Sequence, residues 1–478
     1  MIASSSTVVK VGGALLGDDV GLLRVAAAVA ARRLRGERLL VVVSALKGVT
    51  DALESACLLA LDPRAGNELV LDVMVRLREQ HDLAARGLAA REVIRLRLAP
   101  VLDGVERLLT GIRLTGEVTP RTRDLVMAHG ERLAAPLLAA AVNEAGADAR
   151  AVTAEEAGLV ACGPFQVGAC DTEASRSGLT GLQHELHDRV LVLTGFYGVN
   201  AEGDIVLFGR GGTDYTAGVA AALLGADGLE LWKNVPGFMT ADPAEVPDAR
   251  LVPELSFDEA CELGLYGARI LHPRCLDPLR GLPIAVSVRP VEDVDAEGTR
   301  LVERRVTRRA PVAALTARRD VAVVRVQSAA MVNQPGVAGA VLTALGEAGV
   351  SVDALASAMT SLSCSIGVDD VPLARRALRL LAEQGAAGVE NITITEDLAL
   401  LGVVGDGLSS EPEVGARLLG CLAAEGVKVH LISHGPADVG LSCAVPEVDL
   451  QRALGALHSA FFPVGVRVVE DVSASEHA

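Results

Sequence analysis

The stretch Leu207–Gly218, LFGRGGTDYTAG, follows an apolar run at 191–199 and a turn at 200–204, and it limits the possible folds more than any other part of the chain. Phe208 closes a short strand, Gly209, Gly211 and Gly212 take side chains out of the next turn, and Thr213 and Asp214 open an apolar helix that runs to Leu224. A strand, a glycine turn and a helix in direct succession form the building unit of an α/β sheet. The turn leaves backbone N–H groups unpaired at the positive end of a helix dipole, which suits phosphates and carboxylates. Arg210 adds a planar, two-pronged donor for a carboxylate, and Asp214, an acceptor only, can hold an ammonium group. Turns of this kind also occur as plain capped helix starts, so the reading needs support from the rest of the chain.

At 478 residues the chain has room for two or three domains with substantial cores. The formal charge of −17 excludes an extended nucleic-acid surface, whereas a nucleotide pocket needs only local positive charge. Cys57, Cys162, Cys170, Cys261, Cys275, Cys364, Cys421 and Cys443 form no C-x-x-C pair, so they read as thiols in a reducing compartment. The start, MIASSSTVVKVGG, has no basic segment followed by an apolar core. Apolar runs such as Leu133–Val142 fall short of the roughly 20 residues a bilayer requires. The expectation is a cytoplasmic protein without a membrane segment.

Thr7–Val11 reads as a buried first strand that ends at Lys10, Gly12 and Gly13, before a helix near Leu22–Arg35. A lysine beside two glycines can reach phosphates lying over the turn, although a surface lysine would look the same. Leu39–Ser44 is a second strand, and Ala45–Thr50 a loop, with Asp51 expected to start the next helix. Ser44 and Thr50 either cap that helix or bind an anion. Residues 64–142 have apolar spacing of three and four and read as helical. Within them Glu131 sits in the first turn of an apolar helix, where it complements the dipole or serves chemistry. His129 and His272 read as structural histidines.

The central string resembles the substrate-binding signature of the aspartokinases, members of the amino-acid kinase superfamily. VVVSALKGVT at 41–50, MAHGERLAAPL at 127–137 and the run from Leu229, LELWKNVPGFMTADPAEVPDARLV through to LHP at 271–273, are similar to the same family. The resemblance implies an amino-acid kinase fold over 1–305, a mainly parallel sheet with helices on both faces. It implies that Lys10 meets the transferring phosphoryl group with Arg269 and Asp214, and that Arg210 clamps a substrate carboxylate. Glu131 and Asp214 would hold its ammonium, and Ser44 and Thr50 would complete the pocket. Gly12, Gly13, Gly211, Gly212, Lys233, Asn234 and Met239 would join Lys10 and Arg269 around ATP, with Mg²⁺ bound through the nucleotide phosphates. Val11, Ala14 and Leu15 are closer to N-acetylglutamate kinases than to the usual aspartokinase opening.

Beyond a linker near 300–318 the chain repeats at a period of roughly 75 residues. The units at 318–395 and 396–470, with 306–317 free to interleave with them, each follow the order βαββαβ, with the second helix of the chain's end at Leu450–Phe461 and a last strand at Gly465–Val469. Ser410–Glu413 has the spacing of a capping box. QPGVAGAVLTALGEAGVSVD and the later LHSAFF resemble the ACT domains that follow aspartokinase catalytic domains. Two four-stranded sheets with free edges are expected to pair side by side and join subunits into a homodimer. By resemblance, Met331, Asn333, Gln334, Gly336, Val352 and Asp353 mark an amino-acid effector pocket, and HGPADVG at 434–440 is unusual in the second unit.

The function implied is aspartate kinase, forming 4-phospho-L-aspartate from ATP and L-aspartate at the head of lysine, threonine, methionine or ectoine-type biosynthesis. The alternatives are a kinase for another acidic amino acid, or an ACT-type amino-acid sensor with a weakened kinase half. Asn234 and Ala244 stand where the family commonly has an aspartate and an arginine. Each lost charged hydrogen bond is worth about 1.5–3 kcal/mol. ATP is therefore expected to bind weakly, and a Michaelis constant for ATP in the low micromolar range would contradict this.

Overall fold

The computed structural model describes residues 5–64, 67–268, 270–305, 310–385, 388–408, 410–434 and 439–463. The chain divides into two compact units, Met1–Phe238 with Ile270–Glu303, and Met239–Arg269 with Arg304–Ala478.

The first unit opens with β1 (Ser6–Val11), α1 (Asp19–Leu34), β2 (Arg38–Val43) and α2 (Val49–Leu61). The helix α1 begins earlier than its apolar spacing suggests because the Asp18 carboxylate accepts from the Gly21 N–H at 2.7 Å. α2 begins at Val49, not Asp51, because Gly48 takes a left-handed φ of 80° and turns the chain into the helix at once. A helical layer follows: α3 (Asn67–Ala84), α4 (Arg91–Thr115), α5 (Pro120–Met127) and α6 (His129–Glu144). The stretch Pro120–Glu144 is long and apolar enough to cross a membrane, but it is two helices and 78% of its 18-residue apolar window is buried inside the protein.

Next come β3 (Ala149–Val152), the ribbon of β4 (Ala161–Cys162) and β5 (Ala169–Cys170), α7 (Thr172–Gly181), α8 (Gln183–Asp188) and β6 (Val190–Thr194). The hairpin of β7 (Tyr197–Val199) and β8 (Ile205–Leu207) leads into α9 (Gly212–Leu224) and β9 (Gly228–Lys233). The chain then contributes β10 (Glu254–Ser256) and α10 (Phe257–Leu263) to the second unit, and returns with β11 (Ala285–Pro290) and β12 (Thr299–Val302).

Seven strands of the first unit lie in the order β12-β11-β9-β1-β2-β6-β3. Every neighbouring pair from β11 to β3 is parallel, and β12 alone runs antiparallel. The residues of β1, β2 and β6 are almost all buried, as strands covered on both faces must be. The order reverses at β1: β2, β6 and β3 lie to one side, β9 and β11 to the other. Ligands of such sheets bind outside the carboxyl ends of the strands at that reversal, which here is the end of β1 at Lys10–Gly13.

The second unit holds a single six-stranded sheet in the order β14-β15-β13-β16-β18-β17. Its strands are β13 (Ala314–Gln327), β14 (Leu355–Ala358), β15 (Ser361–Gly367), β16 (Asn391–Val404), β17 (Leu431–His434) and β18 (Gly440–Pro446). Four helices belong to it: α11 (Val337–Glu347), α12 (Val371–Glu383), α13 (Glu413–Ala424) and α14 (Leu450–Phe461). The two separate sheets expected from the repeat are replaced by one, because β13 and β16 each run through both repeats. The pairing shifts register between Arg318 and Val323, and Asp320 and Asp397 both take φ 57° at that point.

An extra residue in a strand reverses the side-chain alternation. Leu315 therefore joins one repeat's core with Leu401 and Val403, while Ala322, Val324 and Val326 join the other's with Ile366. Val321, Val323, Leu398 and Leu400 fill a third cluster. Aspartate tolerates the left-handed conformation better than most side chains, which suits it to both bulges.

Met239–Arg269 packs into the second unit although its sequence resembles a nucleotide-binding half. Ala241 and Val246 are buried in the second repeat's core, and the Thr240 hydroxyl and His458 Nε2 lie 2.9 Å apart. The capping box expected at Ser410–Glu413 does not form: Ser410 Oγ donates to the Gly407 carbonyl at 3.2 Å and Pro412 occupies the cap of α13. Arg269, most of 434–440 and the strand expected at 465–469 lie outside the described residues. Leu401 is fully buried in the second repeat's core. Leu401→Ala is expected to destabilise that unit by about 2–5 kcal/mol, read as a lower urea midpoint at unchanged slope.

Candidate functional site

Lys10 is the penultimate residue of β1, in register with Val42 on β2 and Leu231 on β9. Its ammonium lies 2.7 Å from Asp214 Oδ1, and both side chains are about nine-tenths buried. Asp214 Oδ2 accepts from the His272 backbone N–H at 3.0 Å. Burial works against the Asp214 carboxylate, but Lys10, Lys233 and the two hydrogen bonds outweigh it and hold its pKa below the ordinary range. Lys233, at the end of β9, feels burial first and the neighbouring Lys10 second. Asp214 offsets part of this, and the Lys233 pKa falls to about 8.

The glycines set the distances. A Cβ on Gly13 would stand 2.3 Å from the Ala45 carbonyl oxygen, so only glycine lets the β1 turn close on the loop after β2, where the Lys47 N–H donates to the Gly13 carbonyl at 3.1 Å. A Cβ on Gly211 would fall 2.1 Å from His272 Cγ, and Gly211 takes φ 74° as the cap of α9. The first turn of α9 thus rests on the His272 ring, whose signal in the sequence is only the LHP triplet. His129 is likewise packed, its Nδ1 2.7 Å from the Leu125 carbonyl oxygen.

Glu131 is buried in the first turn of α6 and accepts from the Ala45 N–H at 3.1 Å through Oε1. Its Oε2 has no hydrogen-bond partner among the described residues. Burial is the main cause that pushes its pKa up to about 8, against the lowering effects of the Ala45 hydrogen bond and Lys10. Ser44 and Thr50, both half-buried, flank this loop at the end of β2 and in the first turn of α2. Arg210 stands between Gly209 and Gly211 in the β8–α9 turn, exposed and without an ion pair among the described residues.

The structure therefore gathers Lys10, Gly12, Gly13, Ser44, Glu131, Gly211, Gly212, Asp214 and Lys233 at one edge of one sheet. Asn234 is exposed just beyond β9, and Met239 belongs to the second unit. Asp214 Oδ1 is ion-paired with Lys10 and its Oδ2 accepts from the His272 N–H. The open acceptor is Glu131 Oε2.

Within the second unit, Met331 and Val352 pack on the first repeat's core. Asn333 and Gln334 donate from their backbones to the Ala330 carbonyl, and Gly336 caps α11 at φ 93°. The Asp353 carboxylate is taken by Arg318 at 2.6 Å.

A reversal in strand order with two lysines, a helix N-terminus and a buried carboxyl gathered beside it is the arrangement of an anion-binding α/β site. A model of the amino acid kinase family matches residues 5–289, and one of the ACT domain matches 324–380 and 401–461. The chain belongs to the amino acid kinase family, in the aspartokinase arrangement of a kinase region followed by ACT domains. Aspartokinase 1, chloroplastic, of Arabidopsis thaliana is 29% identical over 432 residues, covering 89% of this chain and 75% of that protein. The structure is similar to that of E. coli aspartokinase III in complex with aspartate and ADP, with a TM-score of 0.79, 27% identity and coverage of 95% of this chain and 99% of that one. The same E. coli protein in complex with lysine and aspartate gives a TM-score of 0.80 at 27% identity, covering 96% and 100%.

A carboxyl with a pKa of about 8 is largely protonated in the empty pocket at neutral pH. The folded state holds that proton more tightly than the unfolded chain, so the stability it contributes is complete below the ordinary value of 4.5 and is lost as pH rises through about 8. An ammonium arriving at Oε2 favours the carboxylate and expels the proton. Titration calorimetry of aspartate near pH 7 in buffers of different ionisation enthalpy is expected to show release approaching one proton. The release should shrink as pH rises through about 8 and vanish in Glu131→Gln.

Proposed function

We propose that this protein is an aspartate kinase, transferring the γ-phosphoryl group of ATP to the side-chain carboxylate of L-aspartate. The observation that carries the reading is the buried Lys10–Asp214 pair at the carboxyl end of the central strand, beside the open oxygen of Glu131. The chemistry needs little more than alignment and charge. A carboxylate is already a nucleophile at neutral pH, so its oxygen attacks the γ-phosphorus and the bond to the bridging oxygen breaks. The electron pair leaves on ADP, and no general base is required.

Lys10, fixed by Asp214, neutralises charge on the moving phosphoryl group, and Lys233 extends the positive field toward the nucleotide phosphates. The N–H groups of the Gly12–Gly13 turn and of the α9 start add donors. Glu131 receives the substrate's ammonium, Arg210 its α-carboxylate, and Ser44 and Thr50 complete the pocket. The donor set is cationic and rich in N–H groups, which fits a polyphosphate carrying its own metal. Mg²⁺ bound to the phosphates would supply further charge neutralisation. An acylated amine would leave Glu131 Oε2 without a partner, which favours aspartate over N-acetylglutamate.

The wider reading is an enzyme at the head of aspartate-family amino-acid biosynthesis, in the cytoplasm. It would be a homodimer through its ACT domains, with an amino acid as effector. The naming of lysine in one relative's complex supports an effector of that class. Purified protein with Mg-ATP is expected to release ADP with aspartate and not with glutamate, N-acetylglutamate or no acceptor. Binding without release would favour a sensor. Arg210→Ala should chiefly raise the Michaelis constant for aspartate, and Lys10→Ala should chiefly lower turnover. The opposite pattern would refute these roles.

A further inference from the structure

The loop 163–168, between β4 and β5, has no part in the chemistry above, yet it is held against the Arg210 turn from two sides. On one side Asp124, wholly buried on α5, uses a single oxygen, Oδ2, to accept from the backbone N–H groups of Gln166 at 2.8 Å and Leu207 at 2.9 Å. Its Oδ1 has no hydrogen-bond partner among the described residues. On the other side Arg274 donates to the Gly168 carbonyl at 2.9 Å and to the Phe208 carbonyl, while its guanidinium lies 4.6 Å from the Tyr215 ring centre. The Tyr215 hydroxyl accepts from the Cys170 N–H at 3.1 Å, and the Gly168 N–H donates to the Leu207 carbonyl at 2.8 Å.

One acid and one base are thus each spent on the main chain of the same two segments, 166–168 and 207–208, and the second segment runs directly into Gly209 and Arg210. Gln166 takes φ 73°, a conformation that a residue other than glycine keeps only when its surroundings impose it. Its carbonyl oxygen would stand 2.9 Å from a Cβ on Gly209, which itself takes φ 74°. Loop and turn therefore fix each other by contact as well as through the two side chains. Burying a carboxylate is costly, and an apolar residue would serve the packing of α5 better. The directional grip on two N–H groups is what Asp124 adds.

Arg210 has no ion pair of its own among the described residues, so the backbone turn sets where its guanidinium can reach. A misplacement of about 1 Å at such a clamp is worth on the order of a hundredfold in rate. We propose that Asp124 and Arg274 are positioning residues for Arg210, acting through loop 163–168 and the turn against which it is held. This rests on the aspartate-kinase reading.

The test is steady-state kinetics of the full chain with aspartate and ATP, alongside calorimetric binding of aspartate. Asp124→Leu should raise the Michaelis constant for aspartate at least about tenfold and leave that for ATP within about threefold. Asp124→Asn, whose amide oxygen still accepts, should stay within about threefold of the parent protein. Should Asp124→Leu fail to fold, the loop itself provides the comparison. Gln166→Pro removes the N–H and forbids the positive φ, and it should show the same selective rise, whereas Gln166→Gly keeps both and should not. A parallel rise for both substrates, an Asn variant as impaired as the Leu variant, or a harmless Gln166→Pro would overturn the positioning role. A parent protein that neither binds nor turns over aspartate would overturn the functional reading and this inference together.

Discussion

The structure of the site depends on one buried ion pair, Lys10 with Asp214, placed where the strand order of the sheet reverses. Two opposite charges taken out of water are costly to hold, and breaking such a pair costs about 3–5 kcal/mol because the survivor is left uncompensated. The surroundings are arranged to prevent that. The His272 N–H and the start of α9 both support the Asp214 carboxylate. Lys233 adds a second cation nearby, so the cluster has an excess of positive charge that an incoming polyphosphate can meet.

Close backbone approach makes this arrangement possible. Gly13 lets the β1 turn touch the loop after β2, and Gly211 lets α9 rest on the His272 ring. That same loop after β2 supplies the Ala45 N–H that fixes Glu131. The Gly13 turn and the Glu131 carboxyl are thus both positioned by one short connection. Burial is the first cause of the pKa values of both Lys233 and Glu131, each about 8, and Lys10 is the second cause for Lys233. Each group is poised to change its proton occupancy when a charged ligand arrives.

The second unit shows how two repeats become one body. β13 and β16 pass through both, and the bulges at Asp320 and Asp397 reverse the facing of their side chains so that each half covers its own helices. The segment that leaves β9 after Lys233 belongs to this unit by Met239, with Thr240 bonded to His458 of α14 and Ala241 and Val246 in its core. The chain that resembles a nucleotide-binding half is therefore continuous, residue by residue, with the core of the ACT region.

Much of this was legible in the amino-acid sequence. A continuous apolar run such as LLVVV at 39–43, bounded by turn residues, reads as a strand covered on both faces. Lys10, Glu131, Arg210 and Asp214 stood out through the family resemblance of the strings that carry them, since a lysine beside a turn or an acid in a first helical turn also has an ordinary structural use. What the sequence could not decide were relations between distant segments. Local patterns give no distance between Lys10 and Asp214, so the aspartate's engagement by a lysine and by the His272 N–H emerged only from the packing. The merging of two sheets into one likewise turned on a register shift at two aspartates, which ordinary strand alternation conceals. Sequence determined which elements form and where charge is placed along them; tertiary structure decided which charges meet, because burial and pairing are properties of the folded neighbourhood and not of any one stretch.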